Sequence, residues 1–311
     1  MKAVKFIAAV LLAVFPFLSC ASNKQVNKEG DEVKMEQEFI RNGYAFDCPD
    51  NIKTAQKNVL YGSVKHVIYY SNTCKMERAF SILLPAGYDG IKKYPVVYFQ
   101  HGIFGDENCI INDSKNAIKE ITANLAAQGK AKEFIMVFGN MYAATDPAQK
   151  PGFKAEDVLP YDNYINELVN DLMPYVEKNY AVLTGQKNTA ICGFSMGGRE
   201  SLYIGLKRSD LFGYIGAIAP APGLVPAKDW AMEHNGMMKE EDLKFAENLP
   251  LPQFFMVCCG TQDSVVGQFP KSYHKILEKN GVEHVWFEVM NADHNDLAIR
   301  SGFTYFAMNI F

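Results

Sequence analysis

The chain has no excess of positive charge: 31 lysines and arginines stand against 35 aspartates and glutamates, a formal net charge of −4. That leaves no basic footprint for a nucleic-acid backbone and excludes that class of partner. Cysteines are few, seven in 311 residues, and none forms a C-x-x-C pair or stands at metal-ligand spacing. The sequence therefore calls for no metal and no cofactor. Internal repeats are lacking, and so is low complexity beyond one polar stretch near the N-terminus. With 48% hydrophobic and 21% charged residues, extensive disorder is excluded as well. The apolar run Phe6 to Leu18 is shorter than the ~20 residues a membrane-spanning helix needs.

That short run does have a use. Lys2 and Lys5 precede it and "FLSC" closes it, so residues 1–19 are expected to be a signal peptide. A small residue followed by Cys20 is a loose form of the lipobox of bacterial lipoproteins. Cys20 is accordingly expected to carry a lipid anchor, the alternative being an ordinary secretory leader cut near Ala21. Residues 20–40 then form a polar tether, and 41–311 a single domain. In an exported chain a bridge between Cys48 and Cys74 is open, whereas Cys192, Cys258 and Cys259 sit in apolar runs as small hydrophobes.

From about residue 60, short apolar runs alternate with longer periodic segments. "HVIYYS" and "AFSILLP" read as two antiparallel strands. "YPVVYFQHG", "FIMVFGN", "NTAICGFS", "YIGAIAPAP", "PQFFMVCCGTQD" and "HVWFEVM" read as strands covered on both faces. Helices are expected over 114–129, 161–180, 197–207 and 270–280, and after His294. This rhythm predicts an α/β domain with a mostly parallel central sheet and helices on both faces. Residues 142–157 and 223–250 do not fit it, and both follow strands, where such sheets place their ligand-binding loops.

Gly193-Phe194-Ser195-Met196-Gly197 satisfies G-x-S-x-G, with a strand before it and a helix after. In such an elbow the serine stands on a strained turn and the glycines remove side chains that would clash. A serine hydroxyl needs a base, and the base needs an orienting acid. Of six histidines only His294 follows the last strand. Asp263 follows the strand before that, while Asp293 and Asp296 adjoin His294 too closely to reach its ring readily. The developing oxyanion needs two backbone N–H groups: Met196, directly after the serine, and Ile103 in "QHGIFGDEN", with Phe104 the alternative.

Those stretches, together with "LLPAGYDGIKKYPVVYFQHGIFGDEN", "LMPYVEKNYAV" and "CGTQDSVVG", make the chain resemble the putative-esterase branch of the α/β-hydrolases. Within that branch it is most similar to the feruloyl esterases of carbohydrate esterase family 1. The resemblance implies the α/β-hydrolase fold, Ser195 as nucleophile, Asp263 as acid, His294 as base, and the amides of Ile103 and Met196 as oxyanion donors. Phe104 stands where the family commonly has glycine. The implied activity is hydrolysis of feruloyl or acetyl esters on plant cell-wall polysaccharide or oligosaccharide, at the cell envelope. A siderophore esterase, an acyltransferase and a non-catalytic glycan-binding lipoprotein are the alternatives. Membrane contact is expected only through the lipid anchor, and oligomeric state is left open. Tyr142 and Trp230, in the two irregular segments, are candidates for stacking on an aromatic acid or for loop packing.

Overall fold

A computed structural model describes residues 40–311, so the expected leader, Cys20 and nearly all of the tether lie outside the described residues. The chain begins with β1 (Ile40–Arg41), β2 (Tyr44–Ala45), α1 (Asp50–Lys53), β3 (Ser63–Ser71), β4 (Met76–Leu84), β5 (Val96–Gln100), α2 (Ile118–Ala127) and β6 (Ile135–Gly139). Next come α3 (Ala155–Asp162), α4 (Tyr164–Glu167), a π-helical turn (Leu168–Leu172), α5 (Met173–Asn179), β7 (Thr189–Phe194), α6 (Met196–Lys207) and β8 (Tyr214–Ile218). The last third holds β9 (Ala227–Lys228), β10 (Glu233–His234), β11 (Phe254–Gly260), α7 (Phe269–Lys279), β12 (Val285–Val289) and α8 (Asp296–Met308).

Ten strands join in the order β1-β2-β12-β11-β8-β7-β5-β6-β4-β3, parallel from β2 to β6 and antiparallel at both margins. The continuous apolar runs explain why the centre is covered twice. In β5, Val96 and Tyr98 enter one core while Val97 and Phe99, one residue out of phase, enter the other. The first core is roofed by the π turn, α6 and α7 through Leu168, Leu172, Leu202, Tyr273 and Leu277. The second is closed by α2 and α8 through Ile121, Leu125, Phe303 and Phe306. Each such side chain, fully buried, contributes roughly 1.5–3 kcal/mol.

One expectation is corrected and one open point is answered. The segment read as one helix over 161–180 starts earlier, at Ala155, and is interrupted by the π turn. Glu167 and Asp171, buried on that stretch, serve the β3–β4 hairpin. Glu167 accepts from the Tyr69 hydroxyl at 2.6 Å and pairs with Arg78, and Asp171 accepts the amides of Asn72 and Thr73 at 3.0 and 2.9 Å. Hydropathy periodicity does not register a π turn, nor the polar partners that a helix finds in a distant hairpin. The open point concerns Cys48 and Cys74: they are free and lie in the two cores on opposite faces of the sheet. The Cys74 thiol instead reaches the Glu167 carboxylate at 3.3 Å.

Candidate active site

The strand β7 runs into Ser195, whose backbone sits at φ 59°, ψ −118°, before α6 begins at Met196. Bulk is excluded from both flanking positions. A Cβ on Gly193 would lie 2.3 Å from the Gly197 carbonyl oxygen, and one on Gly197 would lie 2.2 Å from that of Gln100. The strained turn is pinned by its own backbone: Ser195 N donates to Ile218 O at 2.9 Å, and Ala221 N donates to Ser195 O at 3.0 Å. Ser195 is only 5% exposed and caps the N-terminus of α6, whose dipole favours negative charge there.

The two loops after β11 and β12 bring the predicted acid and base together. His294 Nδ1 lies 2.8 Å from Asp263 Oδ2, a carboxylate whose side chain is 1% exposed. The other oxygen, Oδ1, accepts the amides of Val265 and Val266 at 3.1 and 2.9 Å, which fixes the plane of the group. The imidazole lies against the ring of Phe194, the residue before the serine, with centroids 4.4 Å apart and planes tilted by 33°. No described residue claims the Ser195 hydroxyl or His294 Nε2 as a hydrogen-bond partner, and the two residues follow the C-terminal ends of β7 and β12, strands of one parallel array.

The loop after β5 lies against this pair: a Cβ on Gly102 would meet Ser195 Cβ at 3.4 Å. Phe104, at φ 64°, occupies the left-handed region that favours glycine, and its amide donates to the Tyr161 hydroxyl at 3.1 Å. That spends the Phe104 N–H and leaves Ile103 N–H, with no acceptor among the described residues, as the donor available beside Met196 N–H. His101 supports the loop from behind. Its Nε2 accepts the Met141 amide at 2.9 Å, so the ring proton sits on Nδ1, 2.7 Å from Gly102 O. Burial pulls its pKa down to about 4, which keeps the ring neutral.

A strained serine, an aspartate-held imidazole and two free amides can together form and resolve a tetrahedral adduct. A family model described as "Putative esterase" matches residues 71–264. The chain belongs to this esterase family. A ferulic acid esterase of family CE1 from Anaeromyces mucronatus, solved in complex with ferulic acid, is 47% identical. The match covers 85% of this chain and 96% of that one, with a TM-score of 0.81. The "Endo-1,4-beta-xylanase/feruloyl esterase" of Xylanibacter ruminicola is 28% identical over 218 residues, 68% of this chain and 26% of that protein. The "Endo-1,4-beta-xylanase Y" of Acetivibrio thermocellus is 26% identical over 148 residues, 44% of this chain and 12% of that protein. The chain thus spans about a quarter or less of the curated relatives it matches. An S-formylglutathione hydrolase from Staphylococcus aureus, 16% identical with a TM-score of 0.58, shares the α/β-hydrolase fold.

Parts of both irregular segments meet: Ala155 and Glu156 of the first and Gly223 and residues 232–237 of the second line a cavity of about 260 Å³ with Asp162 and Arg199, and Ser195, Asp263 and His294 do not line it. Arg199 is buried and holds α3 to α6 by pairing with Asp162 and, at 2.6 Å, with Glu200, whose pKa burial pushes up to about 7. Tyr142 is loop packing: it is buried with its ring 5.1 Å from that of Tyr161. Trp230 is 73% exposed and meets Phe153 at 5.5 Å, which in turn meets Phe104 at 5.1 Å. Sequence reasoning missed Phe153 and Tyr161, because nothing local marks a phenylalanine in a loop or a tyrosine in a helix as part of a site.

Proposed function

We propose that the chain is a serine esterase releasing hydroxycinnamoyl groups, feruloyl foremost, from ester linkage to plant cell-wall saccharides. Ser195 attacks the ester carbonyl, and His294 takes its proton and returns it to the leaving alcohol. Asp263 holds the imidazole tautomer, and the amides of Ile103 and Met196 receive the oxyanion, each worth about 3 kcal/mol in the transition state. Water then attacks the acyl-enzyme and releases the acid. The observation that carries the acyl specificity is the likeness, at 47% identity over nearly all of its length, to an esterase holding ferulic acid.

The exposed Phe104–Phe153–Trp230 row, its rings in edge-to-face and tilted contact, supports the same reading, since exposed aromatic faces favour a flat aromatic acyl group over acetyl. Trp230→Ala is expected to raise KM for methyl ferulate about five- to tenfold, on the order of 1 kcal/mol, and to leave p-nitrophenyl acetate turnover within twofold. An equal effect on both esters would remove the aromatic contact from the reading.

Cell-envelope location is proposed with it, supported by Lys2, Lys5, the apolar run 6–18 and Cys20. Produced in bacteria, the full chain is expected in the membrane fraction, and Cys20→Ser to shift it to the soluble fraction. A wild-type chain found wholly soluble would rule the anchor out.

A further inference from the structure

The base loop is fastened to the acid loop by more than the bond between imidazole and carboxylate. Asp293 directly precedes His294, and its Oδ1 collects three donors: Ser264 N at 2.8 Å, Ser264 Oγ at 2.9 Å and His294 N at 2.8 Å. Ser264 directly follows Asp263. One oxygen atom therefore joins the backbone of the base to the residue beside the acid. Those amides, Ser264 first, together with the Ser264 hydroxyl also hold the Asp293 carboxyl below its usual range.

The remaining ties between the loops stop short of this point. Thr261 N donates to Val289 O at 3.0 Å, Gln262 N to Ala292 O at 2.9 Å, and Asn291 N to Thr261 Oγ1 at 2.9 Å. Beyond Ala292, among the described residues, only Asp293 and the His294–Asp263 bond itself span the gap. An imidazole held only by Asp263 and the Phe194 ring could still shift with its main chain, changing where Nε2 lies relative to the serine. The Asp293 clasp removes that freedom by holding the His294 main chain.

We propose that Asp293 is a positioning residue, a second aspartate whose side chain locks the base loop to the acid loop and so keeps the imidazole aimed at Ser195. The inference rests on the esterase reading given above. It acts through hydrogen-bond acceptance rather than charge, since the group lies at the surface where charge is screened. Asparagine, whose side-chain oxygen can accept the same three donors, should therefore substitute for it, whereas alanine should not.

The test compares wild type, Asp293→Ala and Asp293→Asn on methyl ferulate, with thermal melting followed in parallel. Wild-type turnover must be present first; its absence would count against the esterase reading and leave Asp293 out of account. Given turnover, Asp293→Ala is expected to lower kcat about 10- to 100-fold with KM within twofold, the scale of an ångström-level misplacement. Asp293→Asn should return kcat to within about threefold of wild type. Wild-type kcat in the alanine variant overturns the proposal, and so does an asparagine variant as impaired as alanine. If Asp293→Ala fails to melt cooperatively, Asp293→Ser, too short to reach Ser264, takes its place in the same comparison.

Discussion

Replacing Ser195 by alanine is expected to lower kcat on methyl ferulate by about 10⁴- to 10⁶-fold while leaving the melting temperature nearly unchanged. The size follows from what is removed. Without the hydroxyl there is no acyl-enzyme, and only the oxyanion amides and substrate binding remain to favour attack by water. The fold should survive because the elbow is held by main-chain bonds, Ser195 N to Ile218 O and Ala221 N to Ser195 O, neither of which uses the hydroxyl. A fluorophosphonate probe should label wild type and spare the variant. Turnover above a tenth of wild type would mean that another group attacks the ester.

Asp263→Asn is expected to cost about 10³- to 10⁴-fold in kcat with little change in KM. In the native loop Oδ1 accepts two amides, from Val265 and Val266, and Oδ2 faces His294 Nδ1. Asparagine must keep its oxygen on those amides, because its NH₂ group cannot accept from them. The NH₂ group is then directed at Nδ1, which has to lose its proton to receive it. The hydrogen moves to Nε2, where the lone pair that should take the serine proton is needed. Single-turnover measurement of acylation would isolate this step, and an unaltered acylation rate would dismiss Asp263 from it.

How much of this was legible in the sequence depended on how local each signal is. The elbow could be read because strand, serine, glycines and helix occupy one continuous stretch, and the steric reason for Gly193 and Gly197 acts within it. Asp263 and His294 were singled out from chain order, and the structure pairs them, since loops after successive parallel strands emerge at one edge of a sheet. The choice between Ile103 and Phe104 needed the structure, because it turns on a hydroxyl supplied by Tyr161, 57 residues further along. Cys48 and Cys74 looked pairable because compartment and parity say nothing about which face of a sheet a residue occupies. The π turn was invisible for a similar reason: the polar partners of Glu167 and Asp171, beside and within it, lie near residue 70, far off in the chain.

Phe104, Phe153 and Trp230 come from three separate connections, and none of their side chains exchanges a proton or forms a bond. On the proposed reading, the rings that would hold the acyl group are thereby divided from the groups that react with it. A lineage could trade these rings for smaller or polar residues and reach new esters while its reacting atoms stayed where they are. Diversification of such a scaffold should leave its record at those three positions and spare Ser195, Asp263 and His294.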